Sequence, residues 1–218
     1  MKNVLLMALA LFLCGSVQSQ VVAKTYIFKP NRAGSFVVSD TVSHNLDFDL
    51  CKERADAWAR STQSLTYTGS ILGTLANSMV KQSTITYADS VVTFVDNLRY
   101  RKAENYFAGT WTETLTYICK VKIEKDKVIC TFQDMAIVYN YSGYGSSERK
   151  YSLDEKYFNY KSAIENLNKA NSDSSLDKKE KKAMIKEANH EIEEDEISFG
   201  KIDKELSYFV KSFRERFK

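Results

Sequence analysis

The stretch "ETLTYICKVKIEKDKVICTFQDMAIVYNY" (Glu113–Tyr141) constrains the fold more than any other part of the chain. Two runs of strand-forming residues flank Lys125-Asp126, which predicts a tight antiparallel hairpin. Centring the turn there pairs Ile123 with Val128, Val121 with Cys130, and Cys119 with Phe132. Because side chains alternate along a strand, these six share one face. Lys120, Lys122, Glu124, Lys127, Thr131 and Gln133 fall on the other face, with Ile118 and Ile129 as apolar exceptions there. Cys119 and Cys130 are then diagonal neighbours, roughly 7–8 Å apart, beyond the roughly 7 Å span a comfortable disulfide tolerates. The expectation is two small core hydrophobes.

The other cysteines agree with that reading. The opening "MKNVLLMALALFLCGSVQS" has a basic start at Lys2, an apolar run from Val4 to Leu13 and small residues before Gln20. It reads as a signal peptide over residues 1–19, too short for a membrane span. The expected mature chain is exported, to the periplasm or cell envelope. Leu13 fills the small-residue position of a lipoprotein signal, so simple cleavage is favoured over lipid anchoring at Cys14. Three cysteines remain, and three cannot all pair within one chain. Cleavage removes Lys2 and takes the net charge from +3 to +2, which offers no field for capturing nucleic acid.

The chain changes character near Tyr151. Residues 20–150 read as an α+β sheet domain and 151–218 as a helical C-terminal region. In the first, "KTYIF" (Lys24–Phe28), "SFVVSDTV" (Ser35–Val42), "STITYA" and "VVTFVD" read as strands, and Tyr106–Trp111 as a further strand-forming segment. Phe48, Cys51, Ala55, Trp58 and Thr62 recur at helical spacing, with Asn45 or Asp47 as cap. "GSILGTLANSMV" is a candidate second short helix, and "SGYGSSERK" a flexible loop after the last strand. Beyond Tyr151, helices are expected over "LDEKYFNYKSAIENLNKA", over "SLDKKEKKAMIKEANHEIEEDEI" with Ser174 or Ser175 as cap, and over "GKIDKELSYFVKSFRERF". The second carries only a narrow apolar stripe and is expected to be exposed or partly detached.

Two of these segments resemble a known family. "CKERADAWARST" (Cys51–Thr62) and "LTYICKVKIEKDKVICTFQDMAI" (Leu115–Ile137) resemble the helix and paired strands of an exported Bacteroidetes domain-of-unknown-function family with a TATA-binding-protein-like fold. The resemblance covers Ser35 to Tyr141; the family's charged turn carries a glycine where this chain has "KDKV". It implies an antiparallel sheet with helices packed on one face. It implies no activity and supplies no catalytic residues.

Candidate chemistry in the residues themselves is thin. "HEIEE" (His190–Glu194) has Glu194 where a zinc helix needs its second histidine. "NSDSSLDKKEKK" has Leu176 and Lys182 where a calcium loop needs glycine and glutamate. His44 lies seven residues before Cys51, but Cys51 faces the expected core. No catalytic, metal or cofactor site is assigned. The terminal helix offers a possible interaction surface of Phe209, Phe213 and Phe217 with Lys211, Arg214 and Arg216, although closing the core is the stronger expectation for its apolar face. The functional expectation is a non-catalytic envelope module binding a protein, glycan or lipid partner. Its rivals are a periplasmic hydrolase with a dispersed active site and a peripheral membrane binder acting through the last helix.

Overall fold

The computed structural model describes residues 20–68, 85–105, 109–142 and 146–218. The proposed leader, the candidate helix "GSILGTLANSMV" and the start of the Tyr106–Trp111 segment lie outside the described residues. Among the described residues there are seven strands: β1 (Lys29–Pro30), β2 (Phe36–Ser43), β3 (Ile85–Ala88), β4 (Val91–Asn105), β5 (Gly109–Ile123), β6 (Lys127–Ser142) and β7 (Ser146–Ser152). The helices are α1 (Phe48–Thr68), α2 (Leu153–Ser172) and α3 (Lys178–Arg216). Contacts divide the chain into two compact units. Among the described residues, one joins 20–24 with Asn159–Glu194, the other Thr25–Phe158 with Asp195–Lys218. A single cut near Tyr151 therefore describes the change from strand to helix, at Ser152/Leu153, but not the compact units.

The larger unit carries an antiparallel sheet in the order β1-β2-β6-β5-β4-β3, with β7 also pairing β6. β6 serves two neighbours in succession: Lys127–Phe132 pairs β2, and Ala136–Ser142 pairs β7. The central hairpin has the register its alternation predicts, with Ile123 opposite Val128, Val121 opposite Cys130 and Cys119 opposite Phe132. Neither Lys125 nor Asp126 has a positive φ, so this turn needs no glycine.

Alternation does not run unbroken along β6. The register jumps between Thr116–Ala136 and Ile118–Gln133, leaving two residues of β6 opposite the single Tyr117. Asp134 takes a left-handed φ of 51° at this bulge, a conformation aspartate tolerates better than most residues. The extra residue turns Asp134 outward and brings Ile137 onto the packed face in place of the next alternate position.

α1 begins where Asp47 accepts the Leu50 amide at 2.8 Å, relieving an otherwise unsatisfied helix donor. It buries Cys51, Ala55, Trp58, Ala59 and Thr62, whereas Phe48, on its first turn, stays 47% exposed. Trp58 meets Phe94, Phe132 and Phe213 edge-on, at centroid distances of 5.9, 6.4 and 5.2 Å. α1 and the end of α3 thus pack on the same sheet face, and the α+β architecture is as expected.

Several local expectations are corrected. Lys24–Phe28 is not a strand. The Ile27 amide is taken up by the Asp203 carboxylate, while Tyr26 and Phe28 join Phe36, Tyr157 and Phe199 in an aromatic cluster. "SGYGSSERK" is not all loop, because Ser146–Ser152 pairs with β6. The two last expected helices form one helix of 39 residues running through Gly200. Its start is supported by Asp177, not by Ser174 or Ser175, through the Lys179 amide at 3.2 Å.

The smaller unit is helical. Asn168 clasps Val21 by accepting its amide at 3.0 Å and donating to its carbonyl at 2.9 Å, and the Tyr160 hydroxyl accepts the Lys24 amide at 3.0 Å. Lys181 donates to the carbonyls of Asn171 and Asp173, tying the α2–α3 connection.

Candidate functional site

Three constellations within the larger unit could carry function: a histidine–thiol pair, a largely buried polar cluster and the face of the sheet turned away from the helices that pack on it. The first is the one the sequence dismissed. The loop before α1 folds back so that His44 Nδ1 lies 3.3 Å from Cys51 Sγ. The His44 amide donates to the Asp126 carbonyl at 3.0 Å, anchoring the ring to the hairpin turn. A nucleophilic pair would need the imidazole to take the thiol proton. Here Nδ1 already accepts the Leu46 amide at 3.2 Å, and Cys51 is fully buried. Burial, helped by the Asp47 charge and opposed by Arg54, pushes the Cys51 thiol up. The thiol stays protonated, and this geometry is a packing contact.

The second constellation was invisible in the sequence because its members lie on four elements. Ser198 on α3 donates to Glu113 on β5 at 2.7 Å, both buried. Lys156 on α2 pairs with Asp195 on α3 at 2.6 Å, and its ammonium lies 5.7 Å from the Tyr139 ring centroid on β6. Burial opposes the Lys156 charge, but the hydrogen bond and charge of Asp195, with Tyr139, outweigh it and hold its pKa above the ordinary 10.5. Burial is the main cause that raises the Tyr139 phenol to about 12. Every group named here has a partner. A catalytic acid or base needs a proton it can exchange with substrate, and these are engaged with one another. The cluster clamps helix to sheet.

The terminal helix does not present the expected interaction surface. Phe209, Phe213 and Phe217 are buried, with Phe209 stacked on Phe132 at 6.3 Å and Phe213 against Trp58. Lys211, Arg214 and Arg216 remain exposed. Of these, Arg214 holds Asp40 of β2 through two bonds of 2.8 and 2.7 Å, and Arg54 donates to the Arg216 carbonyl at 2.9 Å. The apolar face closes the core, so it is not free to lie on a membrane. No helix among the described residues is long and apolar enough to cross one.

Among the described residues, what remains open is the other face of the sheet. One row across it runs Ser39–Thr131–Lys120–Thr93, and the next Thr41–Ile129–Lys122–Val91. Ser39, Thr41, Lys120 and Lys122 are exposed, and the residues between them half-buried. Ser39 and Thr131 share a hydroxyl contact of 3.3 Å. A row of hydroxyls and ammonium groups on a rigid pleated surface can hydrogen-bond a flat partner, while the threonine methyls and Ile129 supply apolar contact. At the outer edge of β2 an open groove of about 550 Å³ is lined by Thr25, Ile27, Lys29, Val37, Ser39 and Asp203, its carboxylate already committed to Ile27. Among the described residues no three His, Cys, Asp or Glu side chains are grouped to hold a metal ion.

No protein-family model matches the sequence, and no curated protein matches it either. Solved structures similar to it include a TBP-like protein from Parabacteroides distasonis ATCC 8503, at 12% identity and a TM-score of 0.41, covering 85% of this chain and 96% of that one. A DUF4468 family protein from Bacteroides ovatus ATCC 8483 has 12% identity and a TM-score of 0.40 over 84% of this chain and 89% of that one. Neither is named for a ligand or an activity.

Proposed function

We propose that this chain is an exported, non-catalytic binding module of the cell envelope, and that its partner sits on the uncovered sheet face. The observation that carries the reading is the contrast in chemistry within the larger unit. Its histidine–thiol pair is buried and its polar clamp buried or half-buried, each mutually engaged, while the Ser39–Thr93 and Thr41–Val91 rows offer side chains to solvent. Polar surfaces with interspersed apolar contacts are ordinary for non-obligate interfaces.

The test is capture from a native envelope extract with the mature chain beginning at Gln20, beside a Lys120→Glu/Lys122→Glu variant. Wild type is expected to retain a species that the variant loses, at an unchanged melting temperature. Identical captured material from both would remove the sheet face from consideration. Recovery of the full-length chain, leader intact, in the cytosolic fraction would remove the export reading.

A further inference from the structure

The two thiols at the centre of the sheet touch. Cys119 and Cys130 are fully buried, and their Sγ atoms lie 3.6 Å apart. The register is the expected diagonal one, but the expectation that this spacing keeps the thiols apart is overturned. It was a statement about backbone positions, and both side chains point to the packed face and converge. Strand twist also makes the two diagonals of a pair unequal. A disulfide bond is about 2.04 Å long, so about 1.5 Å of approach separates this contact from a bond.

We infer that Cys119 and Cys130 form an intrachain disulfide when the chain folds in oxidising surroundings. Cys51 does not compete, being held on α1 against the His44 ring. The odd number of mature cysteines, which argued against a disulfide framework, resolves into one bonded pair and one packed thiol.

The chemistry is ordinary exchange with a disulfide oxidant, of the glutathione or thiol oxidoreductase class. One protein thiolate attacks the oxidant's sulfur, forming a mixed disulfide and releasing one reduced thiol. The second protein thiolate attacks the protein sulfur of that mixed disulfide, closing the Cys119–Cys130 bond and releasing the other thiol. The protein gives up two protons and two electrons, and the oxidant takes them up. In the folded chain burial pushes the Cys119 thiol well up, so that thiol is a poor nucleophile there. Exchange therefore belongs to the stage before helices cover the sheet, and the finished bond is sheltered from reductants.

The inference rests on the export reading only for where oxidation happens, so the decisive experiment does not use location. The mature chain is refolded from denaturant in a mixture of reduced and oxidised glutathione. A mass about 2 Da below that of the reduced chain is expected. Digestion without reductant should link the Cys119 peptide to the Cys130 peptide, since lysines at 120, 122, 125 and 127 allow cleavage between them. A Cys51→Ala variant should keep the link. Reduction should lower the wild-type melting temperature by roughly 5 °C and leave a Cys130→Ala variant unmoved. Refolded protein in which both Cys119 and Cys130 take up an alkylating agent overturns the inference, as does a link from either to Cys51. A linked refolded chain beside a reduced one recovered from cells upholds the bond and sinks the export reading instead.

Discussion

One sheet shows two faces of opposite character. On the helix side Val92, Phe94, Leu115, Val121 and Phe132 are almost completely buried beneath Trp58, Phe209 and Phe213. On the other side the same strands carry Thr93, Val95, Lys120, Lys122 and Thr131, exposed or half-buried. The alternation that places Cys119 inside places Lys120 outside, one residue later. The packed face holds the fold and has little freedom left for chemistry; the open face costs the fold little to change and is free to recognise something.

That contrast can be broken most forcefully at Phe213. Phe213→Ala should remove about 3–5 kcal/mol of stability by opening a cavity under Trp58, measured by denaturant unfolding. A loss under 1 kcal/mol would mean that the terminal helix does not close this face. Asp195→Ala comes next. It strands the Lys156 ammonium, and because that side chain is 25% exposed the expected loss is about 2 kcal/mol, below the range for a fully buried pair. Alkali probes the same clamp without mutation. The folded chain holds the Tyr139 proton up to about pH 12 against an ordinary 10.0, and the Lys156 proton above its ordinary 10.5. Both groups bind protons more tightly folded than unfolded. Their stabilisation is complete below pH 10 and is lost as the pH climbs from 10 toward 12, by up to about 2 kcal/mol for Tyr139. A melting temperature flat across that window would show the phenol to be solvated.

Smaller effects sharpen the comparison. Gly200 lies inside α3, and a Cβ built there meets nothing within 4 Å. Gly200→Ala should therefore stabilise by about 1 kcal/mol through helix propensity alone. On the open face, Thr93→Ser or Lys120→Gln should change stability by less than about 0.5 kcal/mol. A large loss from either would mean that this face is covered after all.

Legibility in the sequence followed periodicity. The central hairpin could be read to the residue because its two-residue repeat survives from Cys119 to Ile123 and from Val128 to Phe132 without interruption. The bulge ended that at Asp134, where a charged residue inside a strand was the available signal. β7 had no signal at all, since most of its residues are exposed and no apolar repeat is needed to hold it on β6. Gly200 misled in the opposite sense: a glycine that costs about 1 kcal/mol does not stop a helix that buries Phe199 just before it and Ile202 two residues after. The polar clamp was out of reach, because Glu113, Lys156 and Ser198 meet only through the tertiary fold. The thiol contact was missed for a narrower reason, that spacing along strands locates Cα atoms and says little about where short side chains finish.

The strand β7 has one more consequence. Its sequence "SSERKYS" places Glu148, Arg149 and Lys150 in the middle of a strand whose outer rim meets no further strand among the described residues. A bare rim of this kind invites a second molecule to zip on and begin a fibre. Three successive charged side chains make such stacking expensive, so this rim resists edge-to-edge aggregation even at high concentration.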